Sequence, residues 1–148
     1  MIDTVKALLV RDLNKLKVEL ASYQHEHRIW QVDGAIANSA GNLCLHLVGN
    51  LNTYVGVALG TSDYVRDRPL EFSQKDVPRA ELLRRIDATI AVVTTTLDAL
   101  PASALHEDFP MLVFAEKTST EFMLVHLATH LAYHLGQVNY HRRLLDHA

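Results

Sequence analysis

The chain has 148 residues, 49% of them hydrophobic, with 17 acidic and 14 basic side chains and a formal net charge of −3. This length and composition predict one globular domain spanning residues 1–148. The charge balance excludes a strongly basic nucleic-acid-binding surface, and the interrupted apolar runs exclude a membrane span. Because Cys44 is the only cysteine and the N-terminal segment lacks a signal-peptide core, we expect a cytoplasmic protein with neither nucleic acid nor membrane as a partner.

Apolar residues recur in steps of three and four from Ile2 to Tyr23, the spacing of one helical face, and this predicts the first helix. The pattern breaks at "VDGAIANSAG". A second helix is predicted from about Ala40 to Leu59, with Asn38 or Ser39 as its N-cap. Since this helix is apolar on most sides, we expect it to lie centrally and to be well buried.

A long charged connection, "GTSDYVRDRPLEFSQKD", precedes the third predicted helix, which begins near Asp76 or Pro78 and ends before Pro101. An irregular stretch with a short extended piece at "MLVFA" comes next. The last helix is predicted from a capping box at Thr118–Glu121 to about Leu145. Four helices of roughly 20 residues bury their apolar faces most simply as an all-α four-helix bundle.

The last predicted helix contains "HLATHLAYHLGQVNYH", in which His126, His130 and His134 repeat at every fourth position. Positions four apart on an α-helix differ by only about 40° in direction, so these rings and that of His141 project into one sector. Buried imidazoles without partners are unfavourable, whereas two histidines one turn apart can share a divalent metal ion. The stripe therefore predicts a metal site, and a hydrogen-bonded core network is the alternative.

The second helix offers a third ligand, His46, on a polar line that also contains Asn42, Asn50 and Tyr54. Polar neighbours of this kind can fix the ring orientation of a metal-binding histidine. Cys44 points about 160° away from His46 and is excluded as a ligand. A site of three histidines without a carboxylate leaves a coordination position open, which is typical of catalytic metal sites and not of structural ones.

The pattern also excludes two known kinds of metalloenzyme. A zincin needs Glu directly after the first histidine of the pair, where Leu131 follows His130. Di-iron bundles need E-x-x-H pairs with further glutamates, which neither apolar helix contains. Arg66 and Arg68 lie either in a solvated loop or at a pocket mouth where they hold an anionic group. The remaining histidines are expected at the surface or at helix ends: His25, His27, His106 and His147.

The whole chain resembles the DinB-like superfamily of four-helix metal-binding proteins, also called the DinB/YfiT-like fold. The segment "HLATHLAYHLGQVNYHRRLL" is similar to the family's signature in its last helix. The segment "NSAGNLCLHLVGNLNTYV", followed by "RDRPLEF", is similar to its second helix and the connection after it. Together they resemble a branch described only as a domain of unknown function. The resemblance implies a four-helix bundle in up-down-down-up order, which agrees with the long second and third connections.

The resemblance also implies a set of three metal ligands, with His126 outside it: His46, His130 and His134. Ions bound in the family are typically nickel or zinc. Its best-understood members are thiol transferases that use low-molecular-weight thiols such as bacillithiol, mycothiol or glutathione, others are isomerases of thiol adducts, and dimers are frequent. Many relatives have Glu and Arg where this chain has Leu131 and Leu135, so a substrate-deprotonating role of that Glu is unfilled here.

From the residues and the resemblance we expect a metal-dependent thiol S-transferase that acts on a small electrophile, with zinc or nickel as cofactor. A low-molecular-weight thiol is the expected small-molecule partner, and a homodimer is a compatible assembly. Asn50, Tyr54 and Gln137 are the predicted substrate contacts, and His141 is the candidate proton acceptor. Two alternatives remain open: a metal-dependent hydrolase with the same ligands, and a non-catalytic metal-binding or scaffold protein.

Overall fold

The computed structural model describes residues 1–147, and its regular elements in that part of the chain are all helical. Within these residues there is no β-strand, only a single antiparallel bridge between Asp108 and Ser119. The all-α prediction is therefore confirmed. The five α-helices are α1 (Ile2–Ala21), α2 (Ala40–Leu51), α3 (Arg68–Ser73), α4 (Arg79–Ala99) and α5 (Thr120–Leu145).

The four long helices pack around one core. Helix α1 packs against α4 and α5, and α2 packs against the same two helices from the other side. Buried leucines supply most of the contact between them, including Leu9, Leu13 and Leu16 of α1 and Leu127 and Leu131 of α5. This is the layer arrangement of a four-helix bundle. The up-down-down-up order stays a prediction.

The second long helix was expected to be central, and every residue from Ala40 to Asn52 is buried. Ser39 is its N-cap, because the Ser39 hydroxyl oxygen accepts a hydrogen bond from the backbone N–H of Asn42. The α-helix was predicted to continue to Leu59, but it ends earlier. Regular α-helix ends at Leu51, and the chain continues as a π-helical stretch, Asn52–Val57. Such turns occur frequently at functional sites.

The start of the last helix lies one residue later than the predicted capping box. Ser119 is the N-cap of α5, and its hydroxyl oxygen accepts from the backbone N–H of Phe122. Thr118 lies before the helix: its carbonyl oxygen accepts from the N–H of Phe109, beside the Asp108–Ser119 bridge, and the first intrahelical bond is accepted by the carbonyl oxygen of Ser119. The extended pairing therefore flanks the "MLVFA" segment, which itself forms no strand.

The connection after the second helix is also more ordered than a solvated loop. Asp67 caps a short helix, α3, whose first turn contains Pro69, and this helix packs on α2. Its Glu71 is buried although it is an acid. The placement of this one carboxylate determines how the candidate site is built. None of the helices within residues 1–147 is long and apolar enough to cross a membrane.

Candidate metal centre

Three histidines from two helices meet at the contact between α2 and α5. The Nε2 atom of His130 lies 3.2 Å from Nε2 of His46 and 3.2 Å from Nε2 of His134. Each residue offers one ring nitrogen, and these atoms all lie within 4.8 Å of one another. His46 is buried, and the other two are half-buried. The structure thus brings together the three residues that were predicted as metal ligands.

The two clustered histidines of α5, His130 and His134, favour the neutral form that a metal ligand needs. Burial, followed by the neighbouring imidazoles of His134 and His46, lowers the pKa of His130 to about 4. Burial also lowers the pKa of His134, although its hydrogen bond to Gln137 acts in the opposite direction. At neutral pH these rings therefore each keep a nitrogen lone pair.

A buried carboxylate sets the tautomer of His46. Its Nδ1 lies 3.1 Å from Oε1 of Glu71. Burial raises the pKa of Glu71, but hydrogen bonds from His46 and Arg66 outweigh it and hold that pKa below its usual value. Since an ionised carboxylate only accepts, Nδ1 of His46 must donate, and its Nε2 lone pair faces the cluster.

Arg66 holds the same carboxylate from its other side. Its Nε donates to Oε2 of Glu71 at 2.9 Å, and its Nη2 donates to Oε1 at 3.0 Å. The pair is bidentate, so it fixes the carboxylate plane as well as its position. Arg66 was predicted either as a loop residue or as a guard of a pocket mouth. Its guanidinium in fact neutralises Glu71 and stacks 5.5 Å from the ring centroid of Tyr54.

A glycine makes room for this carboxylate. Gly49 lies one turn after His46 on α2, and a Cβ atom at this position would overlap Oε2 of Glu71. Asn42 supports the same segment, because its amide donates to the backbone carbonyl oxygens of Glu71 and Gln74 at 2.9 and 2.8 Å. Asn42 was expected to orient the histidine, and it does so indirectly by holding the backbone of α3.

Gln137, predicted as a substrate contact, lies against the cluster itself. Its side-chain oxygen is 2.7 Å from Nδ1 of His134. An amide oxygen accepts, so Nδ1 of His134 donates and its Nε2 lone pair also faces His130. Nδ1 of His130, in contrast, is buried without a hydrogen-bond partner among the described residues.

These tautomers make a cation the best match for the cluster. A proton on Nε2 of His130 can satisfy only one of its two neighbours, whereas a central cation satisfies all three lone pairs. Nitrogen ligands about 2.0–2.1 Å from a tetrahedral ion lie about 3.3 Å apart, close to the 3.2 Å observed for both pairs. The residues present could therefore hold a divalent metal ion.

The other two predicted substrate contacts lie farther along the second helix. Asn50 is buried, and its side-chain oxygen has no hydrogen-bond partner among the described residues. Tyr54 sits in the π-helical stretch, half-buried, between the Arg66 guanidinium and the Phe109 ring. Cys44 is fully buried on another face, where burial raises the pKa of its thiol to about 12.

His141 and His126 differ from the three clustered histidines. Nδ1 of His141 accepts from the Tyr23 hydroxyl at 2.6 Å, and its Nε2 donates to the backbone carbonyl oxygen of Gln31 at 2.7 Å. The ring predicted as a proton acceptor thus has both nitrogens in hydrogen bonds. His126 packs edge-to-face against Phe114, with the ring centroids 4.9 Å apart, and lies outside the group of possible ligands.

Glu71 and Gly49 were absent from the sequence prediction. Glu71 lies 25 residues after His46, and no spacing rule connects a residue in a charged connection with one ring nitrogen on a helix. A signal was present in "RDRPLEF", where an Arg and a Glu five positions apart bracket a short helix start. Gly49 interrupts an otherwise apolar helix, which is a sign of close packing.

The chain belongs to the DinB superfamily, whose model matches residues 4–138. Among solved structures, it is similar to a conserved protein from Enterococcus faecalis with a TM-score of 0.79 and 18% sequence identity. That likeness covers 98% of this chain and 96% of the other, and at this identity it shows the fold alone. No curated protein matches the chain.

Proposed function

We propose that this protein is a metal-dependent thiol S-transferase that holds one zinc or nickel ion on His46, His130 and His134. The observation that carries the proposal is the convergence of three Nε2 atoms with no carboxylate among them. In the reaction the sulfur of a low-molecular-weight thiol forms a bond to carbon of a small electrophile. The leaving group departs with the bonding electrons, and the thiol proton passes to solvent.

The charge of the site supports thiol activation. Three uncharged imidazoles leave a divalent ion with its full charge, and Arg66 neutralises the one carboxylate behind His46. A bound divalent cation lowers the pKa of a coordinating thiol, and the thiolate is the nucleophile. The chain's own contribution is to orient the rings through Glu71 and Gln137 before any substrate arrives.

Other residues have defined roles in this proposal. Asn50 offers a buried carboxamide oxygen one turn beyond His46, suited to the amide or ammonium groups of a peptide-like thiol. The Tyr54 ring, which lies under the Arg66 guanidinium, closes the site on the side of Asn50. His141 has no unbonded ring nitrogen, so we assign it to the wall of the site and not to proton transfer.

Cobalt substitution tests the proposal directly. Co²⁺-loaded protein titrated with 2-mercaptoethanol should develop a sulfur-to-cobalt charge-transfer band. The band should be lost in His46→Ala and retained in His126→Ala, because His126 is a neighbouring histidine outside the ligand group. Cobalt binding without a thiol band would contradict thiol transfer and favour the hydrolase, in which water occupies the open position. If the protein binds neither cobalt nor zinc nor nickel, the metal site is refuted and the three histidines are a hydrogen-bonded polar network in the core.

A further inference from the structure

A cavity of about 630 Å³ adjoins the histidine cluster. It lies between the segment that precedes α2, the first turn of α2 and the C-terminal half of α5. His134 belongs both to its wall and to the cluster. The volume falls within the range of small-molecule sites, about 300–1,000 Å³.

The wall of this cavity, as far as the described residues form it, has no charged side chain. Its apolar part includes Ile36, Leu43 and Leu144, and the rings of Tyr133 and Tyr140 stand two turns apart on α5. Among residues 1–147, no lysine, arginine, aspartate or glutamate lines it. The Arg143 guanidinium stacks on the Tyr140 ring, but it is not among the lining residues.

A second cavity near the cluster is different. It has a volume of about 380 Å³, and its lining includes Asp67, Glu71, Arg84 and Arg85 together with apolar residues. Glu71 belongs to that wall and also contacts His46. The cluster therefore reaches the uncharged cavity directly through His134 and the charged cavity only through Glu71.

The uncharged cavity has a fixed wall. His141 lines it and ties α5 to the segment before α2 through the carbonyl oxygen of Gln31. Gln137, also in the wall, is bonded to His134. These two polar groups are already paired, and the rest of the polar lining is uncharged: Asn38 and the hydroxyls of Tyr133 and Tyr140. Pre-formed apolar pockets with a few placed polar groups are typical of small-molecule sites.

We propose that this cavity binds the uncharged apolar body, preferably an aromatic ring, of the electrophilic substrate. This inference rests on the proposed function for its link to thiol transfer, whereas the binding itself does not require the metal. An ionic group that enters the cavity loses part of its water and finds no opposite charge among the described lining residues, so ions should bind more weakly than neutral groups. An aromatic ring instead contacts the leucine and isoleucine side chains and the two tyrosine rings.

Three probes of similar shape test the charge preference: 4-nitrobenzyl alcohol, 4-nitrobenzoate and 4-nitrobenzylamine. Their affinities are measured by calorimetry on metal-free and on zinc-loaded protein. The neutral alcohol should bind about tenfold or more tightly than either ion in metal-free protein. Similar affinities for all three probes, or preference for an ion, would overturn the proposal.

Two variants locate the binding. Tyr140→Ala removes an exposed ring from the wall and should weaken the alcohol several-fold, whereas Phe122→Ala, an exposed ring elsewhere on α5, should not. Ile36→Asp should weaken the alcohol and strengthen the amine, and Leu112→Asp is its exposed control outside the wall. An alcohol affinity unchanged by both wall variants would place the binding elsewhere and contradict the inference.

The two proposals fail separately. Suppose that the alcohol still binds to the double variant His46→Ala, His130→Ala, which leaves the cavity wall unchanged, and that cobalt protein shows no thiol band. This result would refute thiol transfer and keep the cavity. A thiol band in cobalt protein without selective alcohol binding would refute the cavity alone.

Discussion

Helix α5 carries two kinds of inward-facing histidine within about three turns. At His130 and His134 the Nε2 atoms face each other and His46, and one further ring nitrogen has no partner. At His141 both ring nitrogens are hydrogen-bonded to protein atoms. The comparison teaches that burial alone does not mark a functional histidine, because the partners of each nitrogen distinguish the two kinds.

The clustered histidines and His141 also differ in the residues that hold their rings in place. The clustered rings are oriented from outside by Glu71 and Gln137, so their lone pairs are left to the centre. His141 connects Tyr23, which follows α1, with the segment before α2. One kind is therefore arranged for a ligand, and the other for holding the bundle together.

The largest expected effect is the loss of metal on removal of a clustered ring. His130→Ala should lower zinc or nickel affinity by about 100-fold or more, because one of three ligands is deleted. His141→Ala should keep the metal content of the wild type. Metal content of untagged protein, measured by mass spectrometry after equilibration with zinc, checks this. Equal metal loss in both variants would break the distinction between the two kinds of histidine.

A matched pair of glycine variants tests the support of His46. Gly49→Ala should displace the Glu71 carboxylate and weaken metal binding by about 10- to 100-fold, the usual effect of losing an outer-shell partner. Gly136→Ala, where a Cβ meets nothing within 4 Å, should leave metal affinity unchanged. It should raise the free energy of unfolding by up to about 1 kcal/mol through helix propensity. Competition with a chromophoric chelator measures the affinities, and unchanged affinity in Gly49→Ala would refute the role of Glu71.

A smaller effect is expected at the structural histidine. Tyr23→Phe removes the hydroxyl that donates to Nδ1 of His141, so a buried acceptor is left without its partner. The free energy of unfolding should fall by about 1–3 kcal/mol. Urea denaturation followed by circular dichroism measures it, and zinc affinity serves as the control that should not change. A loss of zinc affinity with stability unchanged would contradict the structural role.

The smallest effect concerns pH. Burial lowers the pKa of His141 below its ordinary value of 6.5, although the hydrogen bond to Gln31 opposes this. The unfolded chain then binds the proton more readily than the folded one, so stability is full above about pH 6.5 and falls as the pH drops toward the folded pKa. His141→Gln should show a shallower decline in metal-free protein, with the remaining slope due to other groups. Identical slopes in urea titrations across this pH range would contradict the prediction.

The fold was largely predictable from the sequence because the apolar spacing of α1, α4 and α5 is strongly helical. The exact ends of the helices were less predictable. The cap of α5 moved from Thr118 to Ser119 because Thr118 pairs with Phe109 across the chain. The α2 helix changed to π-helical turns at Asn52, whose amide donates to Val48 and to Thr89 of α4. At both places a residue contacts another segment of the chain, Thr118 with Phe109 and Asn52 with Thr89, which local spacing does not reveal.

The sequence by itself determined the helical class, the buried second helix and a stripe of histidines on one face of the last helix, because helical periodicity is a local property. The resemblance to the DinB-like superfamily, and not the spacing, implied that His46, His130 and His134 form the ligand set and that His126 lies outside it. Only the tertiary structure decided which ring nitrogens are left unpaired. It brought Glu71 and Arg66 from a charged connection to His46, tied His141 to Tyr23, and placed an uncharged cavity beside His134. The physical reason is that hydrogen-bond partners and cavity walls come from segments distant in the chain, and a local pattern does not encode their meeting.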